Sequence, residues 1–153
     1  MPSRHLDVAR DATMKRHAYA LAFVAAVVCS TSAFAMDQDA LQFEQASMLA
    51  FKSCANKAVI AGTRIGDTAR FSDTDSCVDQ ALSQVEPAYQ KALTSLRNNG
   101  TARRCLQTYY SNWLTLMKSL PALQSKPPSS VLLTANGGER RLNQYWQFVV
   151  SAR

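Results

Sequence analysis

The chain has 153 residues with a formal net charge of +6, enough for one domain with a modest core but not for two well-filled ones. Its 17 Lys plus Arg stand against 11 Asp plus Glu, a surplus too weak, and too little clustered beyond two dibasic pairs, for a nucleic-acid-binding chain. The only histidines are His5 and His17, so any histidine chemistry depends on whether the N-terminal segment stays attached.

Residues 1–13 form a polar extension of mixed charge ahead of Met14. Lys15, Arg16 and His17 then lead into the apolar run 18–29 and the stretch "STSAFA" ending at Ala35, the order of a cleavable secretory signal over 14–35. A bilayer-spanning helix needs about 20 apolar residues, and this run is shorter. The bulky Val28 before Cys29 is unlike the small residue that precedes a lipid-modified cysteine. Either the signal has a long polar start or translation begins at Met14. Cleavage leaves a domain over 36–153 with thirteen Lys plus Arg, nine Asp plus Glu and no histidine. That absence excludes a Ser-His-Asp or Cys-His nucleophile, a His-ligated zinc and a histidine base together. The expectation is a protein that is not an enzyme, with no catalytic residue, cofactor or metal, and with no membrane span in its mature form.

Within that domain, Leu41, Met48, Phe51, Ala55 and Val59 recur at helical spacing, with Asp37 or Asp39 placed to cap a first helix and Gly62 to end it. A polar connection, "TRIGDTARFSDTD", follows. Ser76 stands three residues before Asp79, the spacing of a capping box, ahead of the stripe Val78, Leu82, Val85, Tyr89, Ala92 and Leu96. Pro87 inside this stripe predicts a kink near 83–86, or a break into two helices. "RNNG" closes the segment, and Thr101 can cap a third helix with the stripe Ala102, Leu106, Tyr109, Trp113, Leu116 and Leu120. So short a link makes the second and third helices antiparallel neighbours. Residues 121–138 read as a crossing connection, long enough to be functional, whose "VLLTA" is a short strand or a buried loop. "ERRLNQYWQFVVSAR" gives the final helix, burying Leu142, Tyr145 or Trp146, and Val149. The fold class is therefore all-α: one small domain of about four helices, as a bundle or an irregular helical array, stapled by a disulfide.

Export favours disulfides, and the domain keeps three cysteines, Cys54, Cys77 and Cys105. An up-and-down path brings the end of the first helix to the start of the second. Cys54 then pairs with Cys77, while Cys105 lies about 30 Å away at the opposite end, beyond the ~7 Å that a disulfide allows between Cα atoms. Cys105 is left as a free or intermolecular thiol, either activated by Arg103 and Arg104 in the first turn of its helix or buried as a small hydrophobe. Asp73, Asp75 and Asp79 suggest calcium, but the sixth and twelfth positions counted from Asp73 hold Val78 and Gln84 where a calcium loop needs Gly and Glu, so helix capping and surface charge are the better reading. Asp67, Glu86 and Glu139 are the carboxylates that acid–base chemistry would have to use, and no spacing sets two of them across a cleft. Arg103, Arg104, Arg140 and Arg141 sit near helix starts, where positive charge opposes the helix dipole; they are solvated surface charges or, alternatively, serve an acidic ligand. Together with Tyr110 and Trp146, they are the interface candidates, since aromatic and Arg side chains anchor protein interfaces.

The stretches "SCVDQALSQVEPAYQKALTSL" and "RRCLQTYYSNWLTLMKSL" resemble exported bacterial helical proteins of the lysozyme-inhibitor (LprI) type. In that pattern a cysteine leads into a helix with a Tyr-x-x-Ala-Leu run, matched by Cys77, Tyr89, Ala92 and Leu93, and a further cysteine precedes an Arg- and Leu-rich helix, matched by Cys105 and Leu106. The resemblance spans 54–120 and departs from the pattern in having three cysteines with no tight early pair. It implies a helical fold and binding to a lysozyme-like cell-wall hydrolase, and transfers no inhibitory residue. The sequence as a whole thus points to a periplasmic or secreted protein-binding module whose partner is an envelope or secreted protein, acidic or a wall hydrolase. The alternatives are an immunity protein against an exported toxin and an accessory structural subunit of an envelope assembly.

Overall fold

A computed structural model describes residues 37–63 and 71–152. The segment read as a signal, both histidines and Asp67 lie outside the described residues. Four α-helices account for nearly all of what is described: α1 (Gln38–Gly62), α2 (Phe71–Ser95), α3 (Gly100–Leu123) and α4 (Pro128–Ser151). The domain is all-α, as the sequence implies.

Local chemistry sets the helix ends. The Asp37 side chain accepts the Asp39 N–H at 3.1 Å and caps α1. At the turn between α2 and α3 the cap is Asn99 rather than Thr101: its side-chain oxygen accepts the Ala102 N–H at 3.0 Å, and its Nδ2 donates to the Ala152 carbonyl, also at 3.0 Å. One side chain therefore starts α3 and ties it to the end of α4. Pro127 and Pro128 open α4, where a fixed φ suits the first turn and the missing N–H has no partner to lose.

The structure corrects three further expectations. First, α2 begins at Phe71, so Ser76 and Asp79 lie inside the helix and form no capping box. Second, α2 runs unbroken through Pro87. Pro87 and Ser83, the residue whose carbonyl loses its helical donor, are both exposed, so water can serve that carbonyl while Val85 and Tyr89 stay buried on the opposite side. Third, 121–138 is not a long connection. α3 continues through Pro121 to Leu123 and α4 starts at Pro128, so "VLLTA" is helical and only four residues link the two helices. Gly138 fits a helix interior because of what it faces: a Cβ there would come within 2.9 Å of Phe51 Cζ and 3.3 Å of Leu116 Cδ2.

The helices run up, down, up and down. The disulfide joins the C-terminal half of α1 to the N-terminal part of α2. Asn99 meets Ala152 across α3 and α4, and Lys52 meets Glu139 across α1 and α4. α1 and α3 also touch along the short diagonal of the bundle. Ser47 on α1 is fully buried there: its Oγ donates to the Glu44 carbonyl and accepts from Tyr109 Oη at 2.9 Å, while Trp113 Nε1 donates to the Ser47 carbonyl at 2.8 Å. This seam is set in an aromatic cluster. Phe43 lies 5.6 Å, centroid to centroid, from both Tyr89 and Tyr109, and Tyr109 meets Trp146 edge-on at 5.8 Å. On either side of it Phe51, Leu106, Met117, Leu120, Leu142 and Val149 are all but inaccessible to solvent, each burial contributing about 1.5–3 kcal/mol before entropy. The anticipated stripes of α2 and α3 form the core apart from Leu82 and Leu116, which are half-buried. Among the described residues, no helix is long and apolar enough to cross a membrane.

Candidate protein-binding face

Cys54 and Cys77 form a disulfide with Cα atoms 5.6 Å apart, closing a sequence separation of 23 residues. Cys105 is free and half-buried in the first turns of α3. Cys77 is thus a staple between two helices, not a nucleophile.

The carboxylates are accounted for by structure. Glu139 pairs with Lys52 at 2.7 Å on the surface, where such a bridge is worth at most about 1 kcal/mol. Glu86 accepts from Gln90 Nε2 at 2.6 Å and from the hydroxyl of Tyr110. Asp73, Asp75 and Asp79 project from exposed positions of α2, on a helix and not a metal-binding loop, and no group of three metal-capable side chains converges among the described residues. Glu44, half-buried on α1, has its pKa raised by burial, with Lys52 pulling the other way.

The six interface candidates separate into different settings. Trp146, an interface candidate that the sequence also allows as core, is only 6% accessible and packs against Tyr109. Tyr110 is half-buried in the seam between α2 and α3: its ring stacks on Tyr89 at 3.8 Å and lies parallel to Trp113 at 5.8 Å. Burial first, and then the hydrogen bond to Glu86, push its phenol well above the usual tyrosine range. Arg103 and Arg104 are exposed in the first turn of α3, as anticipated. Arg140 and Arg141 are exposed too, but they lie in the middle of α4, so the helix dipole gives no reason for them. Among the described residues none of these four arginines has a salt-bridge partner.

What the structure does bring together is a face along α3 and α4. Glu139 turns one flank of α4 toward α1, which leaves Arg141, Tyr145 and Phe148, at steps of four and three, on the flank beside α3. Phe148 is 58% exposed and meets the half-buried Tyr145 edge-on, centroids 6.4 Å apart. The contacts of Tyr109 with Trp146 and of Asn99 with Ala152 fix the register of the antiparallel pair and set Cys105 at the level of Phe148, while Arg104, two positions from the buried Ala102 and Leu106, points outward from α3. An exposed ring, a second ring supporting it and the exposed Arg141 on the same flank are the composition of a protein interface. Phe148 and Tyr145 were the residues missed as anchors. The phase of Leu142, Trp146 and Val149, once fixed as the core, places both on that flank.

Compared with protein-family models, with curated proteins and with solved structures, the chain matches none.

Proposed function

We propose that the chain is an exported, periplasmic or secreted helical protein-binding module that docks an acidic envelope or secreted protein on its α3/α4 face. The observation that carries this reading is Phe148: a large ring held more than half exposed by a rigid helix, supported by Tyr145, with Arg141 one turn before Tyr145. The exposed arginines give the partner its sign, and the Cys54–Cys77 bond supports an oxidising compartment. The resemblance over 54–120 narrows the partner to a lysozyme-like wall hydrolase, with the module as its inhibitor. The test has two arms. Purified protein should bind a single exported partner stoichiometrically, more weakly as salt rises, and Phe148→Ala should lose at least tenfold in affinity. It should also slow the clearing of peptidoglycan suspensions by a wall hydrolase at equimolar ratio. Absence of a stoichiometric partner overturns the module reading; a stoichiometric partner with undiminished clearing overturns only the hydrolase.

A further inference from the structure

The other side of the bundle carries a feature that the α3/α4 face does not explain. A groove of about 370 Å³ runs between α1 and α2 beside the disulfide, floored by Ala50, Cys54, Cys77, Ala81 and Val85. Lys57 is the one charged residue lining it. On its lip stands Leu49, the most exposed large apolar side chain of the described residues at 71%. A protruding aliphatic group beside a recess of small and uncharged polar side chains, with one lysine, gives this face a shape that can pair with itself about a two-fold axis.

Charge along α1 sets the direction of that pairing. Asp39 and Lys57 are 18 residues apart, five full turns at 3.6 residues each, so they share one flank of α1 about 27 Å apart along its axis. Along the axis their midpoint is position 48, one residue from Leu49, which stands about 80° round the helix from that flank. Two copies of α1 packed antiparallel about that point bring each Asp39 to the Lys57 of the other copy while the two leucines meet at the centre. Asp39 lines a shallow recess with Lys91 of its own α2, so in the pair it stands between two cations. Neither Asp39 nor Lys57 has an ion-pair partner among the described residues.

The geometry points to a second copy of this chain as the occupant of the α1/α2 groove, in an antiparallel two-fold dimer centred on Leu49 and closed at each end by an Asp39–Lys57 pair. The inference does not depend on the α3/α4 face, which stays free in such a dimer. Sedimentation equilibrium of the purified chain from about 10 µM to about 1 mM should show a monomer–dimer equilibrium. Leu49→Ala removes two buried leucines per dimer, about tenfold each, and should weaken association about 100-fold. Leu133→Ala, which removes an equally exposed leucine on α4, should leave it unchanged. Asp39→Lys and Lys57→Asp should each weaken the dimer, and their combination in one chain should restore it, a recovery that damage to the fold would not produce. A monomer throughout the range, equal effects at Leu49 and Leu133, or failure of the combined charge reversal to restore association would each overturn the inference. So would protection of the Leu49 groove by a different protein while the chain itself stays monomeric.

Discussion

The adjacent glycines of α4 give opposite expectations for one and the same substitution. At Gly137 an added Cβ meets nothing within 4 Å, so Gly137→Ala should gain the helix propensity of alanine, about 1 kcal/mol. At Gly138 the same methyl would fall 2.9 Å from Phe51 Cζ and 3.3 and 3.4 Å from the two terminal carbons of Leu116. Phe51 is 1% exposed and has no room to withdraw, so overpacking of about 1–3 kcal/mol should cancel or exceed the propensity gain. The two variants should thus differ by about 1–3 kcal/mol, with Gly137→Ala melting about 4 °C above the parent and Gly138→Ala level with it or below. Urea unfolding followed by circular dichroism, with unchanged denaturant slopes, measures both. Equal stabilisation at the two positions would refute the close approach of α4 to α1 and α3. No effect at Gly137 would refute the helical assignment of this stretch.

Loss of the Cys54–Cys77 bond should cost about 3 kcal/mol on the chain-entropy account; Cys54→Ser, Cys77→Ser and the double variant should be about equally unstable in the same unfolding assay, because each lacks the same cross-link. The Ser47–Tyr109 hydrogen bond should be asymmetric: Ser47→Ala strands a buried phenol and should cost about 1–3 kcal/mol, whereas Tyr109→Phe leaves Ser47 donating to the Glu44 carbonyl and should cost about 1 kcal/mol. The raised pKa of Glu44, caused first by burial, means that folding favours its protonated form, so its favourable contribution is complete below about pH 4.5 and lost as pH rises through the folded-state value. Glu44→Gln should therefore be more stable than the parent at pH 7 and indistinguishable from it at pH 3, by thermal unfolding at matched ionic strength. Burial, foremost, holds the phenols of Tyr89, Tyr109 and Tyr110 above their ordinary range, so an alkaline absorbance titration should show them ionising only together with loss of the helical signal.

How far the fold could be read depended on how each helix hides its apolar side. α2 and α3 carry regular stripes with Tyr89, Tyr109 and Trp113 at their centres, and those positions form the core. On α1 the true buried line is shifted toward Ala40, Phe43, Ser47, Cys54 and Ala58, because small and polar residues fill it where the bundle is tightest; hydrophobicity alone does not mark a serine as core. The first half of α4 was illegible for the same reason. Asn136, Gly137 and Gly138 signal a chain break by local preference, yet tertiary packing requires Gly138 at that point of a helix. Pro87 was misleading in the other direction, since its exposure lets water replace the lost hydrogen bond. The disulfide followed from path and reach. The binding face was half legible: its arginines stood out as charge, but choosing Phe148 over Trp146 requires the phase of α4, which one-residue differences decide.

We propose that the exposed Phe148 ring of α4 anchors an acidic exported partner. Replacing Phe148 by a photoreactive phenylalanine analogue in the producing cell and irradiating tests it most directly, with the same analogue at exposed Thr115 of α3 as control. The expected result is one predominant adduct at position 148, with an exported acidic protein, and none at position 115. An absence of adduct at 148, or the same spread of adducts at both positions, would contradict it.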